Sequence, residues 1–208
     1  MDDVILPVEI ITYIHEDGEG IKIYYPQVRG LSNSGIERRM NEKIVDTVNE
    51  LIEEQYREQN AQSFAQMLGT YELKTNERNI LSFTFSNYAI QEFAAHGLTL
   101  MKSLTFNIRT GMSYDLAQLF KPDSNYVEVL SNKVKRQIEE RDISLLDPFT
   151  SIRPDQNFYI ADKALVLYFQ QYEISPYYVG LPMFPISVFE LTDIMRDYGP
   201  LSIMATND

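Results

Sequence analysis

With 208 residues, the chain is long enough for one large domain or two small ones, with a core that needs neither disulfides nor metal. It contains no cysteine, which excludes thiol catalysis, zinc–cysteine sites and redox switching. A formal charge of −12, from 18 Lys and Arg against 30 Asp and Glu, disfavours nucleic acids and anionic membranes. Such an acidic surface mostly serves solubility, and it would also attract a cationic partner.

The first predicted elements are the two strands of a β-hairpin. Residues 5–14 are rich in β-branched side chains, residues 16–20 supply glycine and acidic turn residues, and residues 21–25 alternate in hydrophobicity. Pro26 is expected to end the second strand. Six Asp and Glu but no Lys or Arg occur in residues 1–20, so half of the net charge lies on this hairpin and its lead-in.

A long amphipathic helix is predicted after the hairpin. Ser34 is expected as its N-cap, with Glu37 completing a capping box. Apolar residues then recur at helical spacing as far as Tyr56, opposite a charged face, and Gly69 is expected to close the segment. A helix of this kind packs across a sheet.

Three strands are predicted between this helix and residue 108. A short strand spans residues 71–74, residues 81–86 alternate as a half-buried antiparallel strand, and residues 98–108 form the third. Lys102 interrupts the apolar face of the third strand. Either a bulge changes the register there, or the stem of Lys102 lies on the sheet and its amine reaches solvent.

The rest of the chain predicts a second helix and a second hairpin. Residues 126–141 carry apolar side chains at helical spacing, and residues 158–169 form a hairpin around a tight turn. Prolines punctuate the sequence beyond it, which leaves a short strand at residues 186–189. A last helical turn or two is expected at residues 191–198.

Together these elements predict an α+β fold in which two main helices pack against a mostly antiparallel sheet. We expect one unit over residues 1–208, with an N-terminal half at about 1–92 and a C-terminal half at about 93–208. No apolar run is long enough for a membrane helix and no signal-peptide pattern opens the chain. A cytoplasmic location is therefore expected if Met1 is the native start.

No residue pattern predicts a catalytic, metal or cofactor site. The two histidines, His15 and His96, lack a second ligand at helical spacing. Adjacent carboxylates such as Glu53 and Glu54 point in different directions on a helix, so spacing alone does not make them a general acid–base pair. We expect no enzyme activity and no cofactor, and a hydrolase that uses distant carboxylates stays open as an alternative.

The segment with the strongest interface character lies between residues 170 and 189. Tyrosines alternate with prolines there, and tyrosine combines a stiff apolar ring with a polar tip, which suits protein interfaces and sugar stacking. Phe184 and Phe189 are expected in the core. For Tyr177 and Tyr178, a core position and an exposed position are equally compatible with the sequence.

Several segments resemble a known pair of domains. They are residues 167–180 (LYFQQYEISPYYVG), residues 110–111 (TG) with 115–116 (DL) and 119–122 (LFKP), and residues 25–28 (YPQV) with Asn41. The chain thereby resembles the paired uncharacterised domains found outside the membrane in the sigma-V anti-sigma factor RsiV. The same pair precedes the catalytic domain of the peptidoglycan deacetylase PdaC.

The resemblance implies a non-catalytic α+β domain of Gram-positive bacteria, located outside the cytoplasm, which in one relative is a receptor that binds lysozyme. A basic protein such as a lysozyme is then the expected partner, with a cell-wall glycan as the alternative. If that binding mode carries over, the expected binding residues are Tyr172, Glu173, Pro176, Tyr177 and Tyr178. The oligomeric state is left open.

Overall fold

The structure, a computed structural model, describes residues 7–206 and divides the chain after Ser113 into two compact units. The segment at residues 89–96, where the two expected halves meet, lies within the first unit and connects two paired strands. The expected single unit with halves at about 1–92 and 93–208 stays a prediction. No helix among the described residues is long and apolar enough to cross a membrane.

The first unit is a six-stranded sheet covered by one long helix, α1 (Ser34–Glu58). The strands follow chain order across the sheet: β1 (Glu9–Asp17), β2 (Ile21–Arg29), β3 (Gln66–Glu77), β4 (Ile80–Ile90), β5 (Leu98–Asn107) and β6 (Met112–Ser113). β2 and β3 are parallel because α1 crosses over between them, and the other neighbouring pairs are antiparallel. The predicted α+β class with a mostly antiparallel sheet is confirmed.

The apolar face of α1 forms the core of the first unit together with the sheet. Met40 and Ile44 are fully buried in one cluster with Phe83 and Phe85 of β4. Burying one side chain of this size stabilises the fold by about 1.5–3 kcal/mol. The helical spacing of apolar residues therefore predicts correctly which face of α1 is covered.

The start of α1 differs by one residue from the prediction. Asn33 rather than Ser34 is the N-cap, and its side-chain oxygen accepts hydrogen bonds from two amides of the first turn, at 2.9 and 3.2 Å. Glu37 accepts a hydrogen bond from the amide of Leu31 at 3.0 Å, so the predicted capping box with Ser34 is wrong. Asn and Ser cap helices about equally well, so two adjacent candidates cannot be ranked by residue type.

Pairing extends two strands beyond their predicted ends. β2 continues past Pro26, which lies beyond the three residues of β2 that pair with β3, so its missing N–H removes no bond on that side. β3 spans 12 residues and includes Gly69, which therefore does not close the helical segment. A Cβ added at Gly69 would lie 2.6 Å from Cγ2 of Ile23. The predicted start of β1 at residue 5 lies outside the described residues.

The continuous register between β4 and β5 decides between the two explanations for Lys102. The strands pair without a shift at Lys102, so no bulge is present, and its ammonium reaches the carboxylates of Glu54 and Glu50 on α1 at 2.7 and 3.2 Å.

β4 is buried on both faces and not half-buried as predicted. The hydroxyl of Ser82 on its polar face shares a 2.9 Å hydrogen bond with that of Thr105.

The second unit contains a three-stranded antiparallel sheet of β7 (Phe158–Ala161), β8 (Ala164–Tyr168) and β9 (Met183–Ser187), with helices α2 (Tyr126–Glu140) and α3 (Pro200–Met204). α2 contacts β9 directly. Gln137 and Arg141 donate side-chain hydrogen bonds to the backbone carbonyls of Pro185 and Met183, at 2.8 and 2.7 Å. The predicted second helix and second hairpin are confirmed.

The end of the chain differs from the prediction in two places. In place of a strand at residues 186–189, β9 ends at Ser187 and a 3₁₀ turn follows at Val188–Leu191. The helical turns expected at residues 191–198 are mostly non-helical turns, and α3 begins only at Pro200. Proline at the first position of a helix is favourable because its N–H has no partner there in any case.

The two phenylalanines expected in the core have different environments. Phe184 is fully buried as predicted, and its ring meets that of Phe169 edge-to-face at 5.6 Å. Phe189 is 47% exposed, so its predicted core position is wrong. Its ring instead lies 5.6 Å from the ammonium of Lys163, a cation–π contact at the surface.

Candidate functional site

The segment between β8 and β9, residues 169–182, is fixed at both ends. Its ends are joined by the amide of Phe169, which donates to the carbonyl of Pro182 at 3.0 Å. A 3₁₀ turn at Tyr177–Val179 occupies its middle, closed by the Gly180 amide donating to the Tyr177 carbonyl at 3.0 Å. Gly180 has φ +78°, which glycine adopts without strain. The backbone of the segment is therefore held by its own hydrogen bonds.

Three tyrosines of this segment form what we call the tyrosine surface: Tyr172, Tyr177 and Tyr178. Tyr178 is 75% exposed, Tyr172 is 46% exposed, and Tyr177 is half-buried. The rings of Tyr172 and Tyr177 pack with their centroids 5.8 Å apart. The sequence left core and exposed positions open for Tyr177 and Tyr178, and the structure gives them intermediate and high exposure.

Tyr172 has a backbone conformation that is unusual for a bulky side chain. Its φ is +65°, in the left-handed region that favours glycine, asparagine and aspartate. Left-handed geometry costs a residue with a Cβ roughly 1–2 kcal/mol. Strain of this kind is concentrated at functional sites, where the surrounding structure holds it in place.

Glu173 is engaged within the protein. Its carboxylate forms an ion pair with Arg153 and accepts a hydrogen bond from the Gln170 amide at 2.7 Å. Arg153 also pairs with Asp155 at 3.5 Å, so two carboxylates share one guanidinium. These contacts of Glu173 fix the turn that carries Tyr172. The cluster of Arg153, Asp155 and Glu173 keeps one net negative charge.

Pro176 places the 3₁₀ turn. It is the N-cap residue of the turn, with φ −60°, and is half-buried. Ser175 before it is fully buried, and its hydroxyl has no hydrogen-bond partner among the described residues. All five residues that the resemblance implied thus lie in one short segment. Their role in binding stays a prediction.

Exposed aromatic residues outside this segment were not expected from the sequence. Phe93, in the loop between β4 and β5, is fully exposed with φ +62°. Tyr198, before α3, is 95% exposed with φ +58°. The sequence did contain a signal for the exposure of Phe93, because this aromatic residue lies in the loop between two strands that the sequence predicts well.

The histidines and the candidate acid–base carboxylates lie apart from one another. Glu54 pairs with Lys102 and Arg57, and His96 lies at the surface beside the backbone carbonyl of Gly97. Within residues 7–206, no three His, Asp or Glu side chains are grouped as metal ligands. His15 lies on β1, exposed.

Comparisons with known proteins find two family models that match the chain, one within each of its two units. The family model described as "Deacetylase PdaC" matches residues 15–99, and the model described as "Protein of unknown function (DUF3298)" matches residues 117–188. The anti-sigma-V factor RsiV of Bacillus subtilis strain 168 is 29% identical over 206 residues, which cover 90% of this chain and 71% of that protein.

Solved structures with this fold come from two further bacteria. A DUF3298-family member from Bacteroides fragilis NCTC 9343 superimposes with a TM-score of 0.68 at 12% identity, covering 97% of this chain and 98% of that chain. A DUF3298-family protein from Pseudomonas aeruginosa PAO1 gives a TM-score of 0.69 at 15% identity, covering 99% of each chain. At these identities the two structures show the fold alone. The chain is therefore an RsiV-like pair of domains, a PdaC-type region followed by a DUF3298 region.

Proposed function

We propose that this chain is a non-catalytic module that binds a basic protein, with a lysozyme as the candidate partner, through the tyrosine surface. The observation that carries the proposal is the exposure of Tyr178 and Tyr172 on a segment whose backbone is closed by internal hydrogen bonds. The likeness to an anti-sigma factor over most of the chain supports a non-enzymatic role.

A surface of this kind suits protein recognition for an energetic reason. Tyrosine offers a large contact area and has few rotatable bonds, so little side-chain entropy is lost when it is buried by a partner. The closed turn and the Arg153–Glu173 ion pair hold the backbone before the partner arrives. Pre-organisation of this kind strengthens binding because less ordering is required on association.

Charge supports a basic partner. The chain carries −12, and the carboxylates beside the tyrosine surface exceed their guanidinium by one. Because Glu173 is already paired with Arg153, attraction arises from the summed charge and less from a single carboxylate. Such attraction raises the association rate and weakens with salt.

The proposal is tested by calorimetry of the whole chain with a basic c-type lysozyme, at low and at physiological salt. We expect saturable one-to-one binding that persists at physiological salt. Tyr178→Ala should weaken it by tenfold or more, about 1.4 kcal/mol, as expected of an exposed aromatic that a partner buries.

Tyr198→Ala is the matched control, since it makes the same substitution at an even more exposed tyrosine of the same unit. Its affinity should be that of the unsubstituted protein. Equal binding by all three proteins would show that the tyrosine surface is not the site. Absence of binding, or binding that vanishes at physiological salt, would contradict a lysozyme as the partner.

A cell-wall glycan is the second candidate ligand. The match of residues 15–99 to the PdaC model favours it, because that name belongs to a deacetylase. Retention of the chain on insoluble peptidoglycan at low salt, reduced by Tyr178→Ala, would support this alternative. Turnover of a glycoside and ester panel, abolished by one Asp or Glu substitution, would instead revive the carboxylate-dependent hydrolase.

A further inference from the structure

The strand β1 lies at one edge of the six-stranded sheet. Within residues 7–206 it pairs with β2 alone, in a continuous register from Glu9↔Arg29 to Asp17↔Ile21. The N–H and C=O groups that point away from β2 are therefore open along nine residues, roughly 30 Å of strand. An open edge of this length is a template for pairing with another extended chain.

β1 lacks several of the features that normally protect such an edge, although it carries acidic residues near both ends. It contains no proline, lysine or bulge. Its central residues are uncharged, and Tyr13 and Ile14, which point to opposite faces, are 38% and 45% exposed. At the opposite edge of this sheet, β6 pairs with only the last two residues of β5, and in the second sheet β7 has four residues and β9 carries Pro185.

The charges at the two ends of β1 indicate what can pair with it. Glu9 lies at one end and Asp17 at the other, on the same face as Tyr13, and no Lys or Arg occurs between residues 7 and 21. A second copy paired antiparallel about Tyr13 would place Glu9 opposite Asp17 at both ends. A second copy in parallel register would place each acid opposite itself. Like charges directly opposite are destabilising, so self-pairing is disfavoured.

We propose that the open edge of β1 binds an extended cationic peptide segment of a partner protein as a seventh strand of the sheet. Backbone hydrogen bonds provide the affinity, and basic side chains opposite Glu9 and Asp17 provide the selectivity. The surface belongs to the first unit and uses none of the tyrosines of the proposed lysozyme contact.

The test uses the whole chain and a capped nonapeptide with lysine at both ends and alternating valine and threonine between them. Either strand direction then places lysine opposite Glu9 and Asp17. Binding is expected, with slowed hydrogen exchange at alternate amides of β1. Replacing both terminal lysines by glutamate should weaken the affinity at least tenfold.

Two N-methylated versions of the peptide separate strand addition from general charge attraction. One carries N-methyl groups at odd positions and the other at even positions, with the charge unchanged. Only one edge of the peptide faces β1, so one version should lose binding and the other should retain it. Binding of both versions as tightly as the parent peptide would overturn the proposal.

A pair of protein variants gives an independent test. Ile14→Lys adds one positive charge to the open edge, whereas Leu68→Lys adds the same charge at a similarly exposed position (39%) on the interior strand β3. We expect at least tenfold weaker peptide binding for Ile14→Lys and unchanged binding for Leu68→Lys, with both variants folded by thermal melting. Equal losses in the two, or a dimer in sedimentation that Ile14→Lys dissociates, would contradict the proposal.

Discussion

The structure predicts whether replacing a buried asparagine in β4 raises or lowers the free energy of unfolding. Asn87 is 1% exposed, and neither its side-chain nitrogen nor its side-chain oxygen has a hydrogen-bond partner among the described residues. It lines a small pocket with room for about one water molecule, whose wall includes Val48 and Leu51. An amide buried without partners loses its hydration and gains nothing in return.

Asn87→Leu should therefore stabilise the protein. Leucine has the same branched skeleton, and the substitution removes two polar atoms whose burial without partners costs about 1–3 kcal/mol per group. Part of this gain is offset because the larger methyl groups must fit the cavity, where overpacking costs about 1–3 kcal/mol. We expect a net gain of about 1–2 kcal/mol, which corresponds to roughly 2–8 °C in Tm for a chain of this size.

Gln55→Leu is the matched control, because Gln55 is a buried amide that is satisfied. Its side-chain nitrogen donates to the carbonyls of Asn87 and Leu98 at 2.6 and 3.1 Å. Its removal leaves both carbonyls without that donor, so stability should fall by about 1–3 kcal/mol. Urea unfolding followed by circular dichroism measures both variants. A loss of stability in Asn87→Leu would refute the reasoning, since the gain from removing the unpaired amide would then be smaller than the cost of fitting the leucine.

Two further predictions concern ion pairs. The hydrogen bond from the Lys133 ammonium, at 2.5 Å, holds the pKa of Glu190 below its ordinary value of 4.5. The ionised carboxylate therefore stabilises the fold above pH 4.5, and this stability is lost as the pH falls through the lowered pKa. Glu190→Gln should therefore flatten the fall in stability below about pH 5 in acid titrations of unfolding; an unchanged slope would contradict this. Lys102→Met keeps the stem on the sheet but removes the contacts with Glu54 and Glu50, so it should lower the free energy of unfolding by no more than about 1 kcal/mol, less at high salt. A larger, salt-independent loss would contradict it.

Periodicity located the elements that local sequence specifies strongly. The second helix, expected at 126–141, is α2 at Tyr126–Glu140, and the hairpin expected at 158–169 is β7 and β8. Both combine a regular apolar repeat with clear turn residues, so local preference and tertiary packing agree.

Pairing partners decided the elements that the sequence misplaced. β3 has polar residues and Gly69 in its first half, which weaken the strand pattern, yet eleven of its residues pair with β4. Pro26 is a strand breaker by composition but lies where β2 has one neighbour in place of two. Neither fact is visible locally, because both depend on which strands become neighbours in the sheet.

The candidate site was located by resemblance, but its internal division of roles was not. The sequence placed Tyr172, Glu173, Pro176, Tyr177 and Tyr178 in one group. It could not show that Glu173 forms an ion pair with Arg153, 20 residues earlier in the chain, nor that Phe189 is exposed while Phe184 is buried. Such distinctions require the path of the chain in three dimensions.

The pairing of Glu173 with Arg153 also determines which kinetic step each feature of the site should control. A carboxylate already matched by a guanidinium has little free charge to offer a cationic partner, so the acidity that attracts such a partner is spread over the chain. Spread charge acts on diffusional encounter, and therefore on the association rate, which salt lowers. Desolvated aromatic contacts hold the complex once it is formed, and therefore act on the dissociation rate. In the proposed complex, salt should thus change mainly the association rate and Tyr178→Ala mainly the dissociation rate. A variant that changed association alone would show that Tyr178 does not lie in the buried contact.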